Sequence, residues 1–328
     1  MDKVNGMRKM LLSVIIPVFN SERFISNTLS MLVSQGLNDC EVIIINDGST
    51  DQTEKICKSY SYTNEKIRVI TIPNSGVSVA RNTGYKYATG DYIYFLDSDD
   101  SLFDGTISHY IKTIHNARTV DIFSFGYASN KDGQTYNHAY SKYSGKIFAP
   151  ASEYLDKYLL KRIKTHICTV VISRNFLMEN GIVFTPGIKM GEDVEFLIAI
   201  FSMAQKIYYD ARLCFLYKIR NDSSTQGWKV YTEDHFGSFL VKKKAVAKLI
   251  LGRPDITLSA NFFIANDYCS ALRYYLKSKC KSTHLNEEFK INKKTLVNNI
   301  KGNFMNNFVI FFVKLTSINM LLWLFKKM

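Results

Sequence analysis

The sequence lacks closely spaced cysteines, although it contains six of them. They are scattered along the chain, at Cys40, Cys57, Cys168, Cys214, Cys269 and Cys280. Zinc sites and disulfide frameworks use cysteines at characteristic spacings, so neither is indicated. The pattern fits a protein of a reducing cytosol.

The sequence also lacks an apolar signal segment before Leu11 and a long apolar run near its beginning. The first apolar run, Leu11–Ile16, is too short to cross a bilayer. No G-x-G-x-x-G fingerprint follows that run, and no Walker loop is present. The missing fingerprint argues against a dinucleotide-dependent oxidoreductase.

Negative charge is scarce in the last third of the chain. Residues 231–328 contain 14 Lys and 2 Arg against 6 Asp or Glu, so they carry +10 of the total formal charge of +13. A basic region of this kind usually contacts an anionic partner, either membrane lipid or nucleic acid. The alternative is a solvated helical face without a partner.

Four short apolar runs are present in the first hundred residues, and helical patterns separate them. Each run is almost continuously apolar and rich in Val, Ile or Tyr, which is typical of strands buried on both faces. The runs are Leu11–Ile16, Val42–Ile45, Ile67–Ile72 and Tyr92–Leu96. The sequence therefore predicts an α/β fold with a mostly parallel, Rossmann-like sheet flanked by helices.

The pattern changes after Asp100. Mixed strands and helices follow, including two short strands at Lys206–Tyr209 and Cys214–Ile219. From about Asp234 onward the pattern is wholly helical. We therefore predict a sheet-containing domain at residues 8–230 and a basic, α-helical C-terminal region at residues 231–328.

The most informative stretch is Asp97-Ser98-Asp99-Asp100, directly after the last of the four apolar runs. Residues two apart in extended backbone project to the same side, so Asp97 and Asp99 can face one ligand. Carboxylate oxygens suit a Mg²⁺ or Mn²⁺ that carries a phosphate-bearing substrate. The alternative is a solvated loop whose aspartates cap the next helix.

Polar residues also follow the other three runs, with Asn20, Asp47 and Asn74 among them. Ligands of open parallel sheets bind beyond the carboxyl ends of the strands. Each polar stretch taken alone could be turn chemistry. The four together, ending in a carboxylate cluster, indicate a ligand site.

Five motifs, in order and spacing, resemble those of the family 2 glycosyltransferases. They are Ser13–Asn20, Asn46–Asp51, Gly76–Asn82, Asp97–Asp100 and Gly191–Asp193, and the likeness extends from about residue 10 to residue 225. The resemblance implies the GT-A fold, a nucleotide-sugar donor, a divalent cation (Mn²⁺ or Mg²⁺) and inversion at the anomeric carbon. It also implies that residues 8–105 form the nucleotide-sugar-binding half of a catalytic domain and residues 106–230 its acceptor-binding half.

The resemblance assigns nucleotide-sugar binding to Pro17, Phe19, Asn20, Glu22, Asp47, Gly76, Arg81, Asp97 and Ser98. Pro17, Phe19 and Glu22 would line the nucleoside pocket. Asp47 would accept a hydrogen bond from uracil, which favours a UDP-sugar. Arg81 would bridge the base-side loop and the acidic motif, Asp97 would touch the ribose, and Asp99 would ligate the metal. The alternatives are a core position for Phe19, a first-turn helix carboxylate for Glu22 and a surface ion pair for Arg81.

The resemblance further makes Asp193 the general base for the acceptor hydroxyl, with Glu192 beside it to assist or to orient the acceptor. Both carboxylates could instead cap the helix that continues from them, and the two roles are compatible. Lys218 and Arg220 would lie near the diphosphate or the acceptor, or on a surface strand of alternating charge. Residues 165–168 stand where relatives often carry an acceptor-stacking Trp, so the family pattern does not identify the acceptor.

Residues 303–328 are strongly apolar but are interrupted by Lys314, Thr316, Ser317 and Asn319. This pattern predicts a helix lying in the membrane interface rather than one that spans the bilayer. Nearby lysine clusters would attract anionic lipid. The alternative is a helix buried against the catalytic domain or in a dimer interface.

The sequence thus predicts a metal-dependent inverting glycosyltransferase of bacterial surface-polysaccharide assembly (capsule, O-antigen of lipopolysaccharide, or exopolysaccharide). We expect the protein in the cytoplasm, peripheral to the inner face of the cell membrane. Its expected acceptor is a glycan or a lipid-linked glycan and not nucleic acid, and it could form homo-oligomers.

A sugar-nucleotide nucleotidyltransferase is one alternative, but it should carry a glycine-rich basic loop where residues 17–20 stand. A basic nucleic-acid-binding protein is another, and it leaves the acidic strand ends unexplained. A catalytically silent binding module would have no need of Asp99 and Asp193.

Overall fold

The computed structural model describes residues 3, 4, 7, 8, 10–131, 133–219, 230–296 and 304–321. For residues 3, 4, 7, 8 and 304–306 the description is limited to the backbone. Arg220 lies outside the described residues, so its predicted role stays a prediction.

The strands of the described chain form one large mixed sheet and a separate two-stranded pair. The bounds are β1 (Lys3–Val4), β2 (Met7–Arg8), β3 (Leu12–Val18), β4 (Cys40–Asp47), β5 (Ile67–Ile72), β6 (Tyr92–Phe95), β7 (Ser101–Leu102), β8 (Ile122–Lys131), β9 (Gln134–His138), β10 (Lys146–Phe148), β11 (Val170–Ser173) and β12 (Ile207–Ile219). The order in the large sheet is β10-β12-β8-β11-β6-β3-β4-β5, with β7 paired to β12 and β9 to β8.

The four apolar runs form the parallel part of this sheet. β3 pairs in parallel with both β4 and β6, and β4 pairs in parallel with β5. Every residue of β3 and β4 is buried, as expected of central strands covered on both faces. The α/β fold with a largely parallel N-terminal sheet is therefore confirmed.

A buried carboxylate joins the amino ends of these strands. Glu41 of β4 accepts hydrogen bonds from the Ser13 hydroxyl at 2.7 Å and from the Thr89 backbone N–H at 2.7 Å. Its other oxygen accepts one from the Arg68 guanidinium at 2.8 Å. This network lies opposite the carboxyl edge at which ligands of such sheets bind, so it contributes to stability.

The second part of the sheet contains antiparallel pairs. β11 pairs antiparallel with β6 on one side and with β8 on the other. The two short strands predicted at Lys206–Tyr209 and Cys214–Ile219 are one continuous strand, β12, with register shifts between Asp210 and Phe215. The charged residues at this irregularity break the apolar run, which is why the sequence pattern suggested two strands.

Helices connect the strands of the described chain and then follow β12 in succession. They are α1 (Ile25–Ser34), α2 (Thr53–Thr63), α3 (Val77–Tyr87), α4 (Thr106–Asn116), α5 (Ser152–Leu159), α6 (Arg174–Glu179), α7 (Glu192–Met203), α8 (Glu233–Gly252), α9 (Thr257–Lys277), α10 (Thr283–Asn292) and α11 (Phe304–Leu315). The predicted helical C-terminal region thus corresponds to α8–α11, and among the described residues no helix has the length and hydropathy to cross a membrane.

The chain divides into two compact units. The first comprises residues 1–151, 165–188 and 203–219, and contains the large sheet. The second comprises residues 152–164, 189–202 and 220–328, so α5 and most of α7 group with α8–α11. Within the second unit, Tyr158 of α5 contacts Phe201 of α7, with ring centroids 5.2 Å apart, and Phe263 of α9 at 6.0 Å. The predicted boundary near residue 230 stays a prediction.

Candidate active site

The loops that follow β3 and β4 are tied to each other by side chains. The backbone N–H of Asn20 donates to the Ser49 hydroxyl at 3.0 Å, and the Asn20 side-chain oxygen accepts from the Thr50 N–H at 2.9 Å. Asn20 has a φ of +46°, which Asn tolerates better than most residues. Glu22 accepts from the Gln52 N–H at 2.9 Å, so both predicted residues hold the two loops together.

Pro17 and Phe19 lie in the first of these segments with very different exposure. Pro17 is buried within β3. Phe19 is 49% exposed, so the alternative that it belongs to the core is wrong. Ser21, two residues further on, contacts Ser98 through their hydroxyl oxygens at 2.9 Å. The predicted nucleoside loop therefore touches the acidic loop directly.

Asp47 ends β4 and is buried. Its two carboxylate oxygens accept the backbone N–H groups of Ser75 at 2.7 Å and Gly76 at 2.8 Å, immediately before α3. The close approach requires glycine at position 48, where φ is +70° and a Cβ would lie 2.8 Å from the Asn74 nitrogen. Asp47 thus places its carboxylate against the start of α3, with lone pairs left to accept from a ligand.

Arg81, on the same helix, contacts the acidic motif. Its Nη2 donates to Asp97 Oδ1 at 2.8 Å, and its guanidinium lies 5.0 Å from the centroid of the Phe184 ring. The Arg81 side chain is buried whereas that of Asp97 is 29% exposed. Arg81 therefore forms an ion pair, as one alternative held, but the pair is not on the surface.

The structure brings Asp97, Asp100 and Cys168 together at the end of β6. One possible ligand atom from each lies within 4.8 Å of the others. Burial raises the pKa of Asp97, but Arg81 and His166 outweigh it, and the pKa lies below its ordinary value. Burial and the charge of Asp97 raise the pKa of Asp100 well above its ordinary value, and Lys218 opposes this rise. Two carboxylates at this distance favour a cation between them.

The donor set of this centre fits a hard divalent cation. Asp97 and Asp100 both offer carboxylate oxygens, which Mg²⁺ and Mn²⁺ prefer. Asp99, the predicted metal ligand, is half-buried and is not one of the three residues that the structure brings together here, so its role stays a prediction. Cys168 does not fit, because burial and the neighbouring carboxylates raise the pKa of its thiol well above the ordinary value and keep it protonated.

Sequence reasoning did not include Asp100, Cys168 or His166 among the site residues. Asp100 lies within the acidic motif, so the motif alone could have identified it as a site residue. Cys168 and His166 follow from the antiparallel pairing of β11 with β6, in which Val171 lies opposite Tyr94. Cys168 lies in the short 3₁₀ helix Ile167–Thr169 just before β11, and its Sγ is 3.9 Å from Asp100 Oδ2. No local sequence pattern encodes this.

His166 lies on an aromatic surface beside this centre. Its ring stacks on Phe215 at 5.0 Å and contacts Tyr217 at 5.1 Å between centroids. His166 belongs to residues 165–168, which stand where relatives often carry an acceptor-stacking Trp, and Phe215 and Tyr217 lie in the second half of β12. Lys218, the next residue along β12, is exposed, and its charge acts on Asp100.

Glu192 and Asp193 open α7 in the second unit. Asp193 Oδ1 accepts the backbone N–H of Val194 at 2.8 Å, and the preceding Gly191 has a φ of +89°. Both carboxylates lie in the first helical turn, as the capping alternative predicted. Their catalytic role stays a prediction.

Comparison with known proteins bears on this site. The sequence model of the family described as Glycosyl transferase family 2 matches residues 13–183, just over half of the chain. The chain is 28% identical over 222 residues to glycosyltransferase GlyA of Streptococcus pneumoniae, covering 66% of this chain and 32% of GlyA. It is 32% identical over 221 residues to the minor teichoic acid biosynthesis protein GgaB of Bacillus subtilis, covering 65% of this chain and 23% of GgaB. The chain thus spans less than two thirds of either curated relative.

Solved structures share the fold. S. aureus TarS in complex with UDP-GlcNAc superposes with a TM-score of 0.70 at 19% sequence identity, covering 97% of this chain and 91% of the TarS chain. The likeness extends over both units of the chain, including the helical one.

Proposed function

The chain belongs to glycosyl transferase family 2, and we propose that it moves a sugar from a UDP-sugar, with inversion, to a hydroxyl of a glycan or lipid-linked oligosaccharide. Two relatives support this choice, because GgaB is a teichoic acid biosynthesis protein and TarS binds UDP-GlcNAc. The proposed pathway is assembly of a bacterial surface polysaccharide. Residues 8–105 would bind the donor and residues 106–230 the acceptor.

A single observation carries the proposal: helix α3 joins the two ends of the donor site. The carboxylate of Asp47 binds the backbone just before α3, and Arg81 within α3 binds Asp97. A nucleotide at Asp47 and a diphosphate at Asp97 would therefore be held at a distance fixed by one rigid helix. Such preorganisation is what a glycosyltransferase requires of its donor site.

The nucleoside would lie against Phe19 and Asp47. Phe19 presents a half-exposed ring on which a flat base can stack. Asp47 is held in place by two backbone N–H groups, and its remaining lone pairs would accept the N–H of a uracil ring. This chemistry favours UDP as the nucleotide.

The acidic centre would hold the cation and the diphosphate. Asp97, Asp99 and Asp100 are the residues that would bind Mn²⁺ or Mg²⁺, with Asp99 as the principal ligand. When bound, the cation neutralises the charge that develops on the leaving diphosphate. Arg81 keeps Asp97 ionised and oriented, and Lys218 supplies a further positive charge near Asp100.

Asp193 would act as the general base. An acceptor hydroxyl becomes nucleophilic as it loses its proton, and a positioned carboxylate accelerates such a step about 10²- to 10⁴-fold. The hydrogen bond from Val194 fixes one oxygen of Asp193 and leaves the other to accept the proton. Glu192 would assist or orient the acceptor.

A donor panel tests the proposal. UDP-, GDP- and dTDP-sugars are incubated with the full chain and Mn²⁺ or Mg²⁺, and hydrolysis is measured for the wild type, Asp99→Ala, Asp193→Ala and the control Asp104→Ala in an exposed loop. We expect Asp99→Ala to lower metal-dependent hydrolysis at least about 100-fold. Asp193→Ala should still bind UDP but hydrolyse the donor more slowly, because an attacking water also loses its proton to the base. Wild-type hydrolysis rates in Asp99→Ala, or absence of UDP binding to the wild type, would contradict the proposal.

We also propose that the chain works in the cytoplasm at the inner face of the cell membrane, with α11 as its contact. Phe308, Val309, Phe311, Phe312 and Leu315 of this helix are all between 46% and 70% exposed. A helix that exposes large apolar side chains beside a strongly basic region fits an anionic lipid surface.

A further inference from the structure

The second unit contains a cavity of about 200 Å³ formed by α8, α9 and the residues just before α7. Its wall combines aromatic rings, hydroxyl groups and one ion pair. The lining includes Met190, Tyr231, Ser238, Lys242, Asp267 and Ser270. This volume is below the roughly 300–1,000 Å³ of pockets that hold drug-sized ligands, so the cavity suits a single small ligand that its few convergent polar groups can orient.

The polar groups of the cavity favour an uncharged ligand rich in hydroxyls. Lys242 Nζ donates to both oxygens of Asp267, at 3.1 and 3.2 Å, so the two charges neutralise each other. The carboxylate keeps lone pairs that can accept from ligand hydroxyls. Ser270 donates its proton to the Asn266 carbonyl at 2.9 Å, which leaves its oxygen as an acceptor.

Lys161, a further cation near the Lys242–Asp267 pair, adds little attraction for an anion. Lys161 lies close enough to interact with Lys242 and Asp267, and burial lowers its pKa to about 8. Its ammonium lies 4.0 Å from the centroid of the Phe263 ring. The ring therefore already interacts with the positive charge of Lys161. A phosphate group would therefore find one weakened cation and one paired cation.

Tyr231 offers a polar group that the described residues leave unsatisfied. It is only 5% exposed, and its hydroxyl has no hydrogen-bond partner among the residues that the structure describes. Its ring stacks on His235 at 5.3 Å. Burial and the charge of Asp267 raise the pKa of this hydroxyl, so it stays a donor at neutral pH. A buried hydroxyl without a partner is unfavourable, and a ligand hydroxyl that reached it through a small shift of the cavity wall would supply one.

The cavity adjoins the loop that carries the acidic pair of α7. Lys189 forms an ion pair with Asp234 at 3.4 Å, and Met190 is part of the cavity wall. A Cβ on Gly191 would lie 2.7 Å from the Ser238 hydroxyl oxygen. The three residues before Glu192 therefore lie along α8, within the same unit as the cavity.

We propose that this cavity is a saccharide subsite that holds an uncharged sugar residue of the glycan acceptor next to residues 189–191, which lead directly into Glu192 and Asp193. The inference rests on the proposed function, since it assigns part of the acceptor. At this position the acceptor would present a neutral sugar and not a phosphate group.

Saturation-transfer NMR on the full chain tests the subsite, with UDP present to occupy the donor site. The probes are the methyl glycosides of glucose, galactose and N-acetylglucosamine, and inorganic phosphate. We expect at least one glycoside to bind the wild type, and phosphate not to compete. Ala271→Leu, which fills the cavity, should abolish the signal, whereas Arg273→Leu on an exposed position of the same helix should not.

A matched pair of tyrosine variants separates binding from folding. Tyr231→Phe removes an unpartnered hydroxyl, so we expect an unchanged or raised melting temperature and about tenfold weaker glycoside binding. Tyr268→Phe removes a hydroxyl that donates to the Phe289 carbonyl at 2.6 Å, so it should lower the melting temperature and leave binding unchanged.

The outcomes distinguish the two proposals. Glycoside binding that survives Ala271→Leu, or absence of binding while UDP still binds, overturns the saccharide subsite alone. Phosphate that displaces a bound glycoside from the wild type overturns it in favour of an anion site. Failure of the wild type to bind UDP overturns the proposed function itself.

Discussion

Arg81 shows how one buried residue gives the acidic motif its character. Asp97 and Asp100 lie close together, and without a nearby cation their charges would repel each other. Arg81 compensates on one side by an ion pair with Asp97 at 2.8 Å and packs its flat face on Phe184. Lysine could supply the charge but not the planar contact. Arg81 is therefore both a structural and an electrostatic partner of the motif.

Replacing Arg81 by Met should lower the free energy of unfolding by about 2 kcal/mol, because it leaves the largely buried carboxylate of Asp97 without its partner. The double variant Arg81→Met/Asp97→Asn should recover about 1 kcal/mol of this loss. Urea unfolding of the wild type, both single variants and the double variant measures the coupling. Strictly additive losses would show that the two side chains do not stabilise each other.

Glu41 gives a residue-scale prediction about pH. Burial raises its pKa, but hydrogen bonds from Ser13 and Thr89 and the charge of Arg68 outweigh burial, and the pKa lies below its ordinary value of 4.5. A carboxylate with a lowered pKa stabilises the fold above the unfolded-state value, and this stabilisation is lost as pH falls through the folded-state value.

Glu41→Gln should therefore lower the free energy of unfolding by about 1–3 kcal/mol at neutral pH. The difference from the wild type should stay constant down to about pH 5 and shrink below it. Urea unfolding at pH 7, 5 and 3.5 measures it, with Glu65→Gln at an 89% exposed side chain as the control. A difference that grows as the pH falls would contradict the assignment.

At the scale of elements, β12 shows that an irregular strand is difficult to predict from its sequence pattern. It runs for 13 residues, and its register against β8 shifts twice between Asp210 and Phe215. Gly126 of β8 accommodates the irregularity, since a Cβ there would lie 2.6 Å from the Ala211 carbonyl oxygen. Both halves of β12 were predicted as strands, and only pairing with β8 reveals that they are continuous.

Helix α11 gives the prediction at this scale. In a flotation assay, the full chain should float with vesicles that contain phosphatidylglycerol. The triple variant Phe308→Ser/Phe311→Ser/Leu315→Ser should weaken this binding roughly 100-fold, because each apolar side chain contributes about 1 kcal/mol when partly inserted. Leu251→Ser/Leu258→Ser/Ile291→Ser, at exposed positions on other helices, is the control. Equal flotation of the two triple variants would count against α11 as the membrane contact.

At the scale of the whole molecule, each compact unit consists of segments that are separated in the sequence. Residues 152–164 and 189–202 lie between segments of the sheet unit in sequence but belong to the helical unit. The second of these segments carries the proposed base. Its helix α7 is joined to the C-terminal region by the Arg253 hydrogen bond to the Ser202 carbonyl at 3.5 Å and by the contact of Gly191 with Ser238.

A chain truncated after residue 230 should therefore lose more than its tail. The apolar faces of α5 and α7 would lose their packing partners, such as Phe263. We therefore expect the melting temperature to fall by more than 10 °C, since a loss of 1 kcal/mol lowers it by about 2–4 °C in a chain of this size. Circular dichroism measures it, with truncation after residue 303 as the control. A truncated chain as stable as the control would instead support an independent domain that ends near residue 230.

The sequence by itself determined the fold class and the edge of the sheet at which the polar motifs lie. Continuous apolar runs such as Val42–Ile45 and helical spacing are local patterns, and parallel strands place their carboxyl ends at one edge. Only the tertiary structure decided that Cys168 joins Asp97 and Asp100, and that α5 and α7 pack with the C-terminal helices. These contacts join residues up to about a hundred positions apart, and no local periodicity specifies which distant surfaces bury each other.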